Sequence, residues 1–260
     1  MKTYYIIALA SILVLSSCKK DEKATTDTEE VTEVLKTVSE LKITPIEHAT
    51  MVLEYEDQVI YIDPFGGKEA FKDQKSADLV FITDIHFDHL DIPTLDSLDL
   101  SKATIVAPLA VKEKLPENLQ RKTIVLHNGN AKTIKGIGVE TVPMYNLREE
   151  ALHFHEKGRG NGYVLTIGEE RIYISGDTED IPEMRKLKNI DKAFVCMNLP
   201  WTMPVNNAAS AVLDFKPKQV YPYHYRNKEG FSNVGLFKMQ VNASSDDIEV
   251  VQLDWYTTSK

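Results

Sequence analysis

The run FITDIHFDHLD, Phe81–Asp91, places Asp84, His86, Asp88 and His89 within six residues. The chain has seven histidines in 260 residues, and two of them stand three apart here. Neutral imidazole and carboxylate are common protein ligands of zinc and similar ions. A His-x-x-His pair alone is weak grounds, because solvated turns also collect such residues. The apolar run Leu79–Thr83 leads straight into the four side chains, which puts them at the end of a buried strand. In an extended segment, positions 84, 86 and 88 face one way, while Asp88 and His89 point apart and can feed two metals. Two ions about 3.5–4 Å apart hold a bridging hydroxide and polarise a substrate oxygen.

The same arrangement recurs along the chain. RIYIS ends in Gly176-Asp177-Thr178, QVYPY ends in His224, and HFHEKGRGNGY brings His153 and His155 just ahead of a strand. Loops at the ends of a rigid sheet are where chemistry is usually built. Asp177 is the candidate bridging carboxylate. In KGRGNG, Arg159 and the backbone N–H groups could hold a substrate phosphate or carboxylate, against the plainer reading of a turn. Trp201 and Met203, in the loop Asn198–Pro204, are candidates to wall an apolar pocket. His48 fits either a pocket rim or the core. Asp63-Pro64 is expected to close a strand and hydrogen-bond a loop near the metals, and His127 reads as a turn residue.

The elements that must position these residues begin near Leu41. ATMVLEY and QVIYID flank Glu56-Asp57 as a hairpin, and GYVLTIG and RIYISGD flank Gly168-Glu169-Glu170 as another. DLVFIT and KAFVCMNL are continuous apolar runs, which predict buried strands. TIVLH, IGVETVPMY, QVYPYHY and DIEVVQLDW also read as strands. DIPTLDSL and APLAVKEKL read as helices. NNAASAVLDF predicts a helix capped by Asn206 or Asn207. Hairpins mixed with strand–helix–strand units imply stacked sheets covered by helices, as one domain over 41–260.

The composition, 43% hydrophobic and 27% charged, supports a sizeable core. The net charge of −9 argues against non-specific nucleic-acid binding, which needs a basic face. The N-terminus MKTYYIIALASILVLSSCKK has a positive start and a short apolar stretch, as an export signal over 1–17 does. LSSC resembles a bacterial lipobox, which implies cleavage before Cys18 and lipid attachment to it. The polar segment 18–40 then reads as a flexible tether, and its KKDE start resembles a surface-sorting signal of some Gram-negative lipoproteins. The expected location is therefore a bacterial membrane, reached by export and held by the lipid. Cys196, the one other cysteine, reads as a buried core thiol.

Taken in order, DIHFDH, HFHEKG, SGDT and YPYHY resemble the signature of the metallo-β-lactamase-fold hydrolases: His-x-His-x-Asp-His, a distant His, a strand-end Asp and a final His. The opening strands, with His48 and Asp63-Pro64, resemble the branch of ascorbate-6-phosphate lactonases and N-acyl-phosphatidylethanolamine phospholipase D-like enzymes. The resemblance implies an α/β fold, an αββα sandwich with the metal site at one edge of the sheets. It implies two zinc ions, with manganese or iron as alternatives. Asp84, His86 and His155 would hold the first, Asp88, His89 and His224 the second, and Asp177 would bridge. HEKG matches the branch's His-Pro-Lys-Gly, so His155 is preferred over His153. Asp88 would receive the proton of the attacking water, and the substrate would be a small ester, lactone or phosphoester. Asp84 departs from the signature, where a histidine is expected. It is either a direct ligand of harder character or a residue orienting a histidine. The departure keeps a second reading open, a non-catalytic binding protein, and some relatives of this fold are nucleases.

Overall fold

The computed structural model describes residues 39–256; the expected signal segment, Cys18 and the tether as far as residue 38 lie outside them. Two sheets dominate. The first takes its strands in sequence order: β1 (Lys42–Glu47), β2 (Thr50–Tyr55), β3 (Gln58–Ile62), β4 (Leu79–Phe81), β5 (Thr104–Ala107) and β6 (Thr123–Val125). β1 to β3 form antiparallel hairpins, and β3 to β6 run parallel. The second sheet contains β7 (Ala131–Ile134), β8 (Ile137–Met144), β9 (Gly160–Ile167), β10 (Glu170–Ile174), β11 (Lys192–Cys196) and β12 (Gln219–Tyr223). Between β12 and the last strand a small hairpin pairs β13 (Arg226–Asn227) with β14 (Gly230–Phe231). β15 (Glu249–Val250) closes the second sheet beside β12. β7 to β10 form an antiparallel meander, while β10, β11, β12 and β15 are parallel.

The burial explains the unbroken apolar runs. Met51, Leu53, Ile60 and Ile62 pack into the core shared with Tyr163, Tyr173 and Phe194 of the second sheet. Their neighbours Val52, Val59 and Tyr61 face the other way, against Phe71, Leu95, Val111 and Leu119 of the outer helical layer. A sheet covered on both faces has no solvent side to mark with polar residues. The helices Val205–Phe215 and Val234–Asn242 bring Ala208, Val212, Phe215, Phe237 and Val241 to the second sheet. The result is the αββα sandwich.

Some local expectations change. The helix Val205–Phe215 begins earlier than an Asn206 or Asn207 cap allows, with Pro204 at the cap position. A proline fits a helix entry because no intrahelical bond is asked of its nitrogen. Asn207 instead donates to Asp180 at 3.0 Å, and Asn206 accepts from Gln240 at 2.8 Å. Only Glu249–Val250 of DIEVVQLDW pairs, with Gln219 and Val220 of β12. β7 escaped the sequence reading because its outward residues are solvated, so no apolar run marks it.

Candidate metal centre

Four loops meet at one edge of the two sheets. After β4 the chain coils into a turn, with the N–H groups of His89 and Leu90 donating to His86 O at 3.0 and 2.7 Å. The segment 84–89 is therefore not extended, and its side chains do not alternate as expected. Asp88 and His89 do not point apart: His89 Nε2 lies 3.9 Å from Asp88 Oδ1. The turn converges them, since hydrogen bonds back to His86 O wind the backbone. Gly176, at φ 61°, turns the chain after β10 so that Asp177 faces the same point; a Cβ there would sit 2.7 Å from Met144 Sδ. His48, Asp63 and His224 also carry positive φ without being glycine, a strained geometry that clusters at functional sites.

The side chains around the cluster set the histidine tautomers. Asp63, fully buried, accepts from Thr83 N at 2.7 Å and Thr83 Oγ1 at 2.6 Å, and lies 2.8 Å from His89 Nδ1. Because Nδ1 donates to Asp63, the neutral His89 that a metal would meet presents its lone pair at Nε2, the atom aimed at the centre. His155 Nδ1 donates to Trp201 O at 3.1 Å, which leaves its Nε2 bare as well. The Trp201 loop is anchored by Arg148, which donates to Pro200 O, Thr202 O and the buried Glu179. Tyr163 Oη donates to Ile82 O at 2.8 Å and Asn161 N to Thr83 O at 3.0 Å, tying β9 to the loop after β4.

At the centre, Asp177 Oδ2 is 3.3 Å from His155 Nε2 and 3.5 Å from His89 Nε2, and its Oδ1 is 3.4 Å from His224 Nε2. Asp88 Oδ2 is 3.2 Å from His224 Nε2. Asp84 Oδ2 is 2.8 Å from His86 Nδ1 and 3.8 Å from His155 Nε2. Three ligand-type groups result: Asp84 with His86 and His155, His89 with Asp177 and His224, and His48 with Asp88 and His224. Burial pushes the Asp177 and Asp88 carboxyls up, but the surrounding histidines outweigh it and hold both below the usual range. The converse holds at His89: burial lowers its pKa, but Asp177, Asp63 and Asp88 raise it well above the ordinary value. His48 is pushed down to about 4 by burial and by His224, so it is neutral.

The residues fit a divalent cation. Buried and without a hydrogen-bond partner are Nε2 of His89, His155 and His224 and Oδ1 of Asp177. Unpaired buried polar atoms are costly and rare, and here they converge. Imidazole nitrogens and carboxylate oxygens together suit zinc, manganese or iron.

A cavity of about 290 Å³ opens onto this cluster, lined in part by His48, Phe87, Asp88, Asn198, Trp201 and Arg226. Trp201 and His48 thus sit at the pocket; Met203 does not, being fully buried in the core. Arg159 departs from its expected place. Its Nε and Nη2 donate to Asp84 Oδ1 and Oδ2 at 3.1 and 3.0 Å, so the guanidinium is turned to a carboxylate of the chain, not to the cavity. His153 is exposed and lies tilted against Phe154, outside the cluster, and His127 is exposed beside a turn. Cys196 is buried, as expected of a core thiol. The sequence reading passed over Thr83, Asn198 and Arg226. Thr83 and Asn198 each stand two residues past the end of a buried strand and Arg226 two residues past His224, so strand-end position was the available signal.

The comparisons agree with this architecture. A profile of the beta-lactamase superfamily domain matches residues 42–224. A UPF0173 metal-dependent hydrolase of Pyrobaculum islandicum is 34% identical over 196 residues, covering 68% of this chain and 81% of the relative. A crystal structure from Parabacteroides distasonis, of a protein assigned as a metal-dependent hydrolase, superposes with a TM-score of 0.74 at 38% identity, covering 82% of this chain and 93% of the other. Igni18, a metallo hydrolase of Ignicoccus hospitalis, shares the fold at 21% identity and TM-score 0.69, over 82% and 95% of the two chains. The chain belongs to the beta-lactamase superfamily, within its UPF0173 metal-dependent hydrolases.

Proposed function

We propose that this metal-dependent hydrolase cleaves an ester, lactone or phosphoester bond of a small molecule bound in the cavity beside Asp88 and His224. The reading rests above all on the convergence of unpartnered His89, His155 and His224 nitrogens with Asp177 at the cavity floor. Zinc, or manganese or iron in its place, would be held by these residues with Asp88, and would supply a water of lowered pKa and a Lewis acid. Asp63 and the Trp201 carbonyl hold His89 and His155 in the tautomers that turn Nε2 inward. Asp88 faces the cavity and can accept the proton of an attacking water. Phe87 and Trp201 offer apolar walls that exclude bulk water, and His48 sits neutral at the rim. Arg226, over the Tyr256 ring at 4.7 Å and 3.6 Å from Glu47 Oε1, lines the same cavity and offers a guanidinium to a negatively charged substrate group.

The test is a panel of p-nitrophenyl esters, simple lactones and bis(p-nitrophenyl) phosphate, assayed with zinc-, manganese- and iron-loaded protein. Turnover in one class, lost in Asp88→Asn and His86→Ala, is expected. Full turnover in both variants would refute the assignment, and no turnover in any metal form would favour a binding protein. The lipobox-like LSSC supports a further part of the proposal, that the enzyme works exported and tethered to a bacterial membrane through Cys18. Incorporation of labelled palmitate by the parent and not by Cys18→Ser is the expected result.

A further inference from the structure

Asp84 stands where the family signature has a histidine, and the structure gives it an unusual partner. It is fully buried, and both oxygens accept from Arg159 in a two-pronged pair at 3.1 and 3.0 Å. Such fork-to-fork pairing is the strongest geometry open to a carboxylate and a guanidinium. Oδ2 also accepts from His86 Nδ1 at 2.8 Å. Arg159 is itself held, since Nη2 donates to Phe154 O and lies 3.5 Å from His86 Nε2. Its charge is permanent, because a guanidinium does not deprotonate in proteins.

The other side of the cluster is different. Among the described residues, the ion-pair contacts of Asp88 and Asp177 are all to histidines, and no lysine or arginine balances them. Nε2 of His89, Nε2 of His224 and Oδ1 of Asp177, all on this side, are buried without a hydrogen-bond partner, while no oxygen of Asp84 is. Asp84 and Arg159 cancel. Asp88 and Asp177 together match the charge of one divalent ion.

We infer that the two metal positions are unequal: Asp88, His89, Asp177 and His224 hold one cation tightly, while Arg159 supplies the positive charge beside Asp84 and leaves the position at His86 and His155 weak. Asp84 is then the counterion of Arg159 and a positioning residue for His86. The inference rests on the metal-dependent reading above and adds its stoichiometry. A second divalent ion at Asp84 must either approach a fixed cation or displace it, and each route weakens binding.

The experiment uses the full chain, purified in detergent, stripped with chelator and titrated with zinc and separately with manganese by calorimetry. Elemental mass spectrometry after gel filtration counts the retained metal. One equivalent retained, with any second step at least about 100-fold weaker, is the expected result. Asp84→Asn should change the tight step by less than about threefold, whereas His89→Ala should abolish it. Arg159→Met, which frees Asp84, should strengthen the second step. If that variant fails to fold, the parent and the near-isosteric Asp84→Asn still decide. Two equivalents of equal affinity in the parent, with one lost in Asp84→Asn, would overturn the inference and leave the hydrolase reading intact. No metal bound under any condition would overturn both.

Discussion

Asp63→Asn tests how the chain prepares a ligand before any metal arrives. Asp63 Oδ2 accepts from His89 Nδ1–H and from Thr83 Oγ1, while its Oδ1 accepts from Thr83 N. An asparagine has one acceptor oxygen. If that oxygen stays on Thr83 N, the amide NH2 faces His89, and the imidazole must accept at Nδ1. The proton then moves to Nε2, the atom aimed at the cluster. The other amide orientation sets NH2 against Thr83 N–H, two donors facing each other. Loss of such an orienting contact typically costs 10–100-fold in metal affinity, or about 1.4–2.8 kcal/mol. The fold should survive. Burial raises the Asp63 pKa and His89 only partly counters it, so removing the charge relieves part of the desolvation cost. Asparagine also tolerates the φ of 43° at this position. The assay is competition against a chromophoric chelator, with circular dichroism as the check on folding. Unchanged affinity in a folded Asp63→Asn protein would refute the claim that Asp63 sets the His89 tautomer.

Three further outcomes are expected. In the metal-free protein the carboxylates hold the His89 pKa well above its ordinary value, so the ligand is protonated near neutral pH. Metal binding must then release a proton, and affinity should rise with pH; calorimetry in buffers of different ionisation enthalpy measures this, and no proton release would contradict it. Burial pushes the Cys196 thiol up to about 12, so in a Cys18→Ser chain Ellman's reagent at pH 8 should find almost no thiol until guanidinium exposes one equivalent. Arg148→Met leaves the buried Glu179 only the N–H groups of Leu147 and Arg148 and frees the loop that offers Trp201 O to His155; a loss of about 1–3 kcal/mol in stability is expected by chemical denaturation, with weaker metal retention.

The strand-end residues were legible because period and composition mark buried strands, and because a buried strand ending in histidine and aspartate is costly unless those groups have a task. DLVFIT leading to Asp84, RIYIS to Asp177 and QVYPY to His224 could be read this way without coordinates. β7, with mostly solvated side chains, and the four-residue β5 were not read, and β15 was read but too long, since only Glu249–Val250 pairs.

Backbone periodicity and side-chain chemistry are local properties, so the order of residues was enough to say which side chains could bind a metal and at which strand ends they stand. The tertiary structure alone decided what each of them faces. The contact of His155 with a carbonyl 46 residues away and the capture of Asp84 by Arg159, 75 residues on, depend on packing two sheets together. Those contacts are made between segments distant in sequence, and no local pattern carries their geometry.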